Sequence, residues 1–251
     1  MTTLTALRAD THAPLKVSTD RAITYATGRH MIPLHIGEVS RAMMDFPILI
    51  SRLQGQGTYA LSALTSFTAG ANAFLVDGVW QSAFQPSEMQ VFPFTLMRGE
   101  DGEPVLAIDQ SMPVFSTEDG EALFEGNQPA LWLEQLQKQL LSIADHTGLT
   151  RHFLDTISEL GLISQIVITL HQANGEANKI SGLHTINEDK LKSLSPEELA
   201  ELNAKGFLGP LYAILFSIFQ LNTLIRRFNA QAGSDQIQRI SLEIAKDMHR
   251  A

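Results

Sequence analysis

Short apolar segments separated by turn residues fill the first half of the chain. They include "ILISR", "TYALSAL", "NAFLV", "VFPFTLM" and "EPVLAID", and turn sequences such as "GQG" and "GEDGEP" lie between them. In "TYALSAL", Tyr59, Leu61 and Ala63 share one side, which is typical of a half-buried antiparallel strand. No helix-length segment alternates with these strands, so a doubly wound parallel sheet is not expected.

The second half of the chain shows helical patterns around one hairpin. Residues 129–145 carry an apolar stripe, and a second helix is predicted to restart at Thr150 and to end at Gly161. The following segment contains Asn174-Gly175, which is the strongest short-range signal for a tight hairpin turn. The sequence "SPEE" from Ser195 predicts a helix that begins with a capping box.

Two apolar segments near the end of the chain allow more than one interpretation. Residues 207–225 carry no charge and are long enough to span a bilayer. The pattern also fits a core helix, which is the favoured interpretation. The last segment places Ile237, Ile240, Ile244 and Met248 on one helical stripe. That stripe predicts a helix that docks on its own domain or on a partner.

These patterns together predict an α+β fold with a mainly antiparallel sheet in the N-terminal half. Helices and one β-hairpin are predicted in the C-terminal half. Residues 1–229 are interpreted as a single domain that is β-rich over 15–115 and helix-rich over 116–229. Residues 230–251 are interpreted as a C-terminal amphipathic helix extension, through which a homo-oligomer could form.

Composition narrows the classes of function. The chain has 251 residues and a formal net charge of -9, so binding to a nucleic-acid backbone is not expected. It contains no cysteine, which excludes disulfides, thiolate catalysis and cysteine metal sites. The N-terminal residues 1–17 lack the apolar run of an export signal. A cytoplasmic location is therefore expected, with association with the cell surface as the alternative.

A block of aromatic residues and prolines at 77–94 is the main candidate for a ligand site. It carries Trp80 and Phe84, and it either lines a groove or fills a seam of the core. Phe92 and Phe94 are assigned to the seam, whereas Trp80 follows a turn and is the better groove residue. With Arg98 and Asp109 as polar anchors, Trp80 and Phe84 form the predicted ligand-binding set. Asp109 ends an apolar strand, where a carboxylate lines a site as often as it caps the next turn.

The chemical motifs that would indicate an enzyme are missing. The chain has no HExxH, GxSxG, GxxxxGK[ST] or GxGxxG sequence, and no catalytic residue is assigned. His30, His35 and Glu38 could supply three ligands to a divalent metal, but their spacing fits neither a helix face nor a strand face. We therefore assign no metal site and expect no cofactor.

Several segments occur in an order that resembles a known family. They are "HAPLKV", "FPILISR", "ANAFLVDGVWQSAFQP", "LAID", "GEALFEGN", "GLISQIVITL", "SGLHTINEDKLKSL" and "GFLGPLY". Together they resemble the SapC family of bacterial proteins, named after a gene at a surface-layer locus, over residues 8–228. The family pattern tends to carry basic residues before the Pro93-Phe94 pair, where this chain has Gln90, Val91 and Phe92. An anionic ligand held by such residues would be lost here.

The resemblance implies a role but supplies no catalytic residues. It points to a non-enzymatic binding or accessory protein linked to a surface layer or to a TonB-dependent nutrient-uptake system. The partner would be a protein or peptide, for example the product of a neighbouring uptake or halogenase gene. A stable membrane span is not expected. A permease does not fit either, because it would need several spans. A metal-dependent enzyme and a structural surface-layer component are the alternative functions.

Overall fold

The computed structural model describes residues 4–53, 57–231, 233 and 236–244. The strands are β1 Thr5–Ala6, β2 Lys16–Val17, β3 Met31–Leu34, β4 Ile48–Arg52, β5 Tyr59–Leu64, β6 Leu75–Val76, β7 Val79–Trp80, β8 Thr95–Arg98, β9 Pro104–Ile108, β10 Phe115–Ser116, β11 Glu121–Ala122, β12 Phe124–Glu125, β13 Gln128–Pro129, β14 Ile163–Gln172, β15 Ala177–Ile186 and β16 Ile237–Ile244. The α-helices are α1 Ala9–His12, α2 Arg21–Ala26, α3 Val39–Ala42, α4 Ser87–Val91, α5 Leu131–Glu159, α6 Glu188–Lys192, α7 Pro196–Ala204, α8 Leu208–Ser217 and α9 Leu221–Ala230. Two short 3₁₀ helices are η1 Ile36–Glu38 and η2 Ile218–Gln220.

A six-stranded antiparallel sheet organises the fold. Its strand order is β16-β14-β15-β4-β5-β3, so β16 and β3 are the outer strands. The predicted hairpin of β14 and β15 is confirmed, and Gly175 in its turn has a φ of 88°. Such positive φ angles are what a tight hairpin turn requires of its glycine. The α+β class predicted from the sequence is confirmed.

The segment predicted as a core helix covers one face of this sheet. Helix α8, η2 and α9 follow one another over Leu208–Ala230, which is long and apolar enough to cross a membrane by length and composition. Leu211, Ile214, Leu221 and Leu224 are buried against the main core. The interpretation as a core helix holds for this face only, because just 33% of the most apolar 18 residues are buried. The opposite face carries exposed aromatic side chains.

A single long helix replaces the two that the sequence predicts over 129–161. Helix α5 runs without a break from Leu131 to Glu159, and Gly148 lies inside it. Thr150 is not an N-cap: its hydroxyl donates to the His146 carbonyl and accepts a hydrogen bond from the Ile36 N–H. The predicted end is confirmed, since Gly161 has a φ of 68° and closes the helix.

The length of α5 follows from the two cores that it joins. Its first half packs Leu133, Leu136 and Leu140 into a smaller core that also contains residues of β8 and β9. Its second half packs Phe153 and Ile157 into the main core. A glycine inside a helix costs about 1 kcal/mol relative to alanine. Burial of a Leu, Ile or Phe side chain stabilises by about 1.5–3 kcal/mol each, which outweighs that cost.

The predicted C-terminal helix is a strand over its described residues. Ile237–Ile244 forms β16, which pairs antiparallel with β14. Ile240, Leu242 and Ile244 alternate along one face, and a register irregularity beside Gln172 lets Ile237 stay buried. β-Branched residues such as isoleucine favour strands, so this segment suits an edge strand better than it suits a helix. The rest of the predicted stripe, including Met248, lies outside the described residues.

Candidate functional site

The aromatic block at 77–94 is mainly a seam between cores. Trp80 stacks on Phe46 at a centroid distance of 6.0 Å, and its Nε1 donates to the Phe84 carbonyl at 3.0 Å. Phe92 packs on a small cluster around Tyr25, and Phe94 is buried in the smaller core. The assignment of Phe92 and Phe94 to a seam is therefore confirmed.

The polar half of the predicted ligand set lies elsewhere. Arg98 is exposed at the end of β8, and Asp109 is buried directly after β9. The Asp109 Oδ1 accepts hydrogen bonds from the Ser111 N–H at 3.0 Å and from its hydroxyl at 2.6 Å. Asp109 thus stabilises the turn that follows its strand. Trp80 and Phe84 pack on the main core, whereas Arg98 and Asp109 lie at strand ends of the three-stranded sheet β1-β9-β8. The structure thus separates the four predicted residues into two pairs.

The residues considered for a metal serve as structural connections. The Glu38 carboxylate accepts hydrogen bonds from the His35 N–H at 3.0 Å and from the Ser87 N–H at 2.8 Å. The His35 Nε2 lies 3.2 Å from Glu88 Oε1, so these groups tie η1 to α4. His30 accepts the Thr65 N–H through its main-chain carbonyl. Within the described ranges, no group of three or more His, Asp or Glu side chains could hold a metal ion.

An apolar groove lies where α8 and η2 meet the ends of β15 and β16. Its volume is about 340 Å³. The residues that line it are Thr185, Ile186, Glu188, Asp189, Leu215, Phe216, Ile218, Phe219, Leu242 and Ile244. Apart from one threonine and two acidic residues at the start of α6, this lining is entirely hydrophobic. We call it the apolar groove.

An exposed row of aromatic rings borders the apolar groove. Tyr212, Phe216 and Phe219 lie four and three residues apart, so they share one helical face. The rings of Tyr212 and Phe216 stack with centroids 5.9 Å apart, and Phe219 is 73% exposed. These three residues form what we call the aromatic ridge. The opposite positions of the same helices are buried, which fixes the ridge toward the outside.

The ridge and groove concentrate apolar surface in one place. In the described part of the chain, thirteen large hydrophobic side chains are exposed. Five of them are the ridge residues together with Leu242 and Ile244. Single exposed hydrophobic residues are ordinary, but a contiguous patch marks a surface that binds something.

One buried polar atom lies inside this apolar lining. Thr185 is 7% exposed, and its Oγ1 has no hydrogen-bond partner among the described residues. A buried hydroxyl without a partner costs about 1–3 kcal/mol. The atom is enclosed by the protein, so the free energy of folding carries this cost.

The rim of the apolar groove is acidic at one end. Glu188 forms an ion pair with Lys192 at 2.7 Å, and this carboxylate raises the pKa of the Lys192 ammonium group. Asp189 has no ion pair with any described side chain, although its charge also contributes to the raised pKa of Lys192. A positive group on a ligand would therefore be attracted to this end.

The outer strand β16 adds main-chain groups beside the groove. It pairs with β14 on one side and is the last strand of the described sheet. In an antiparallel strand, alternate residues direct their N–H and C=O groups to the outer side. An extended segment of another molecule can pair with such an edge.

Comparison with known proteins decides the family. A family model described as SapC matches residues 7–224. The chain belongs to the SapC family. Searches of the curated proteins and of the solved structures gave no match. The SapC match covers the helical wall of the apolar groove and ends before β16, so Leu242 and Ile244 lie outside the matched residues.

The sequence analysis does not identify the residues of the apolar groove and the aromatic ridge. Phe216 and Phe219 belong to the uncharged segment 207–225, which the sequence pattern predicts to be a buried helix. A helix that is apolar on all sides fits a core, a membrane or an interface equally well. The available signal was the spacing of aromatic rings at 212, 216 and 219, although core helices show the same spacing. The Thr185 hydroxyl gave no signal, because its isolation depends on tertiary contacts.

Proposed function

We propose that this SapC-family protein is a non-enzymatic binding protein that docks a protein partner on the apolar groove and the aromatic ridge. The observation that carries the proposal is the patch of five exposed hydrophobic side chains around a concave site. Aromatic residues that can be fully covered are the usual anchors of protein interfaces.

The chemistry of the surface favours a particular partner. A hydrophobic side chain would fill the groove, a basic residue would face Asp189, and an extended main chain would run along β16. A membrane is the less favoured occupant. The cytoplasmic leaflet of a membrane is negatively charged, and both the groove rim and the net charge of -9 oppose it.

The family resemblance supports a biological setting for the partner. The name of the family points to surface layers, and the resemblance also suggests TonB-dependent nutrient uptake. We propose that the partner belongs to one of these systems and that the protein acts beside it as an accessory factor. The protein products of neighbouring uptake or halogenase genes are the partners to test.

Peptide binding tests the docking chemistry directly. The probe is a fluorescent peptide of alternating valine and phenylalanine that ends in two arginines, and its matched control ends in two glutamates. Binding is followed by fluorescence anisotropy for the unsubstituted protein and for Phe219→Ser, Phe216→Ser and Leu131→Ser. Leu131 is an exposed residue at the start of α5, outside the groove lining, and serves as the control position.

The proposal expects the arginine peptide to bind more tightly than the glutamate peptide. Phe219→Ser and Phe216→Ser should weaken binding, and Leu131→Ser should leave it unchanged. Phe219→Ser and Phe216→Ser should also lose co-purification with the neighbouring gene products, and Leu131→Ser should keep it. Binding to anionic phosphatidylglycerol vesicles in place of both peptide and protein would overturn the proposal, as would equal loss in all three variants.

A further inference from the structure

A second cavity lies near the edge of the sheet opposite to β16, between α5 and the strands β3 and β5. Its volume is about 240 Å³. Leu34, Leu61 and Leu154 provide apolar walls, and Arg151 and Asp155 lie on the α5 side. We call it the β5 cleft. Nothing in the proposed docking function uses it.

The main-chain N–H and C=O of Tyr59 lie on the β3 side of β5, where the β3 pairing ends at Leu61. The Leu53 N–H donates to the Thr58 carbonyl, and the Leu64 N–H donates to the Pro47 carbonyl. These bonds show which residues of β5 bond to β4. The even-numbered residues direct their main-chain N–H and C=O groups toward β4. The odd-numbered residues direct theirs toward β3. Ala63 and Leu61 meet Ile32 and Leu34 there, and Tyr59 would be next.

The residue that would pair with Tyr59 is drawn away by α5. Continuation of the β3 register would place Ile36 opposite Tyr59. Instead, the chain turns into η1, and the Ile36 N–H donates to the Thr150 hydroxyl at 2.9 Å. One position of the sheet is thus left open, with both the N–H and the C=O of Tyr59 directed to the β5 cleft.

The helical side of the cleft supplies two opposite charges. Arg151 and Asp155 are exposed and lie one turn apart on α5. Neither side chain forms an ion pair or a hydrogen bond within the described ranges. They are also not paired with each other, although ions at this spacing on a helix often are. Both charges therefore remain free beside the apolar walls of the cleft, whose other polar lining residues are His35, Thr58, Thr147 and Thr150.

These four groups match one simple ligand. We propose that the β5 cleft binds a free α-amino acid with an apolar side chain. The ammonium group donates to the Tyr59 carbonyl and faces Asp155. The carboxylate accepts the Tyr59 N–H and faces the Arg151 guanidinium, whose planar donors suit a carboxylate. The side chain lies against Leu34, Leu61 and Leu154.

Both charges of the ligand are needed in this arrangement. A peptide with a free C-terminus shares the carboxylate but lacks the ammonium group at that residue. An amine or an amino-acid amide lacks the carboxylate. The two sources of the same chemistry, a free amino acid and the C-terminal residue of a peptide, are therefore distinguished by blocking one end of the ligand at a time.

Isothermal titration of the full chain is the test. The ligands are L-leucine and L-phenylalanine, their N-acetyl derivatives, their amides and their D-enantiomers. The protein variants are Arg151→Gln and Asp155→Asn. The matched controls are Lys138→Gln and Asp145→Asn, which remove the same charges from exposed positions of α5 that do not line the cleft.

The proposal expects the free L-amino acids to bind and each blocked derivative to bind at least tenfold more weakly. Arg151→Gln and Asp155→Asn should each weaken binding by a similar factor, and the two controls should bind as the unsubstituted protein does. Tenfold weaker binding corresponds to about 1.4 kcal/mol, which is the size expected for the loss of one charge-assisted hydrogen bond. Tyr59 contributes only main-chain groups, so Tyr59→Phe should bind normally.

Three results would overturn the proposal. One is the absence of heat with every free amino acid at millimolar concentration. Another is tighter binding of the N-acetyl derivatives, which would assign the cleft to peptide C-termini. The third is an equal effect of the cleft variants and their controls. None of these results bears on the apolar groove, so this test and the docking test fail independently.

Discussion

Replacement of Thr185 by valine separates the stability of the protein from its binding function. Valine has nearly the same shape and the same preference for strands, but it has no hydroxyl. The Thr185 Oγ1 is buried without a partner, and such a group costs about 1–3 kcal/mol. Thr185→Val should therefore raise the free energy of unfolding by about 1 kcal/mol or more, since the solvation of that hydroxyl is no longer lost on folding.

The size of the effect can be measured by thermal unfolding. For a chain of about this length, each kcal/mol shifts Tm by about 2–4 °C. The control is Thr65→Val, because Thr65 is fully buried and its hydroxyl donates to the Arg29 carbonyl at 2.6 Å. That variant should lose about 1 kcal/mol. The two substitutions are chemically identical, so opposite signs would isolate the effect of the missing partner.

Binding should not follow the change in stability. The Thr185 Oγ1 is enclosed by the protein, so a partner in the apolar groove does not reach it, and the Kd should stay the same when valine replaces threonine. Anisotropy with the arginine peptide measures this Kd. If Thr185→Val lowers Tm as much as Thr65→Val does, the hydroxyl is satisfied in the free protein, and the reasoning about an unpartnered buried hydroxyl is refuted.

Gly148→Ala should raise Tm by a few degrees, because a side chain at this helical position meets nothing within 4 Å and alanine favours a helix by about 1 kcal/mol; an unchanged or lower Tm would contradict a continuous α5. Gly120→Ala should destabilise severely in urea unfolding, because a Cβ would overlap the Val17 carbonyl oxygen at a φ of 120°, whereas Gly126→Ala would meet no atom within 4 Å and bears only the cost of its positive φ. Burial lowers the pKa of His184 below its ordinary 6.5, so the unfolded state binds more protons and stability should fall as the pH drops below about 6.5. His184→Gln should flatten this part of the stability profile, and an unchanged slope would contradict the assignment.

Local signals predicted the parts of the fold that neighbouring residues decide. The predicted turn at Asn174-Gly175 is confirmed, and so is the predicted capping box at Ser195, whose hydroxyl accepts the Glu198 N–H. The end of α5 at Gly161 followed from the same kind of signal. Each of these features is set within about four residues, where the energetic preferences of single residue types are large.

Features that depend on distant contacts were predicted poorly. Gly148 weakens a helix locally, but the two cores on either side of it hold the helix together. The stripe of Ile237, Ile240 and Ile244 satisfies a helical period, yet the free edge of β14 pairs with it as a strand. Ridge residues Phe216 and Phe219 looked buried because the sequence does not show that only one face of α8 meets the sheet.

Both proposed sites lie where the six-stranded sheet loses its regular pairing. At one edge, β16 directs alternate main-chain groups away from β14, beside the apolar groove. Near the other edge, Thr150 draws Ile36 out of register and leaves Tyr59 open. The outer strand β3 itself is protected by Pro33, which has no N–H to offer another chain. A fold selected for stability alone would pair or protect every such position, so the positions left open are where binding is the stronger explanation.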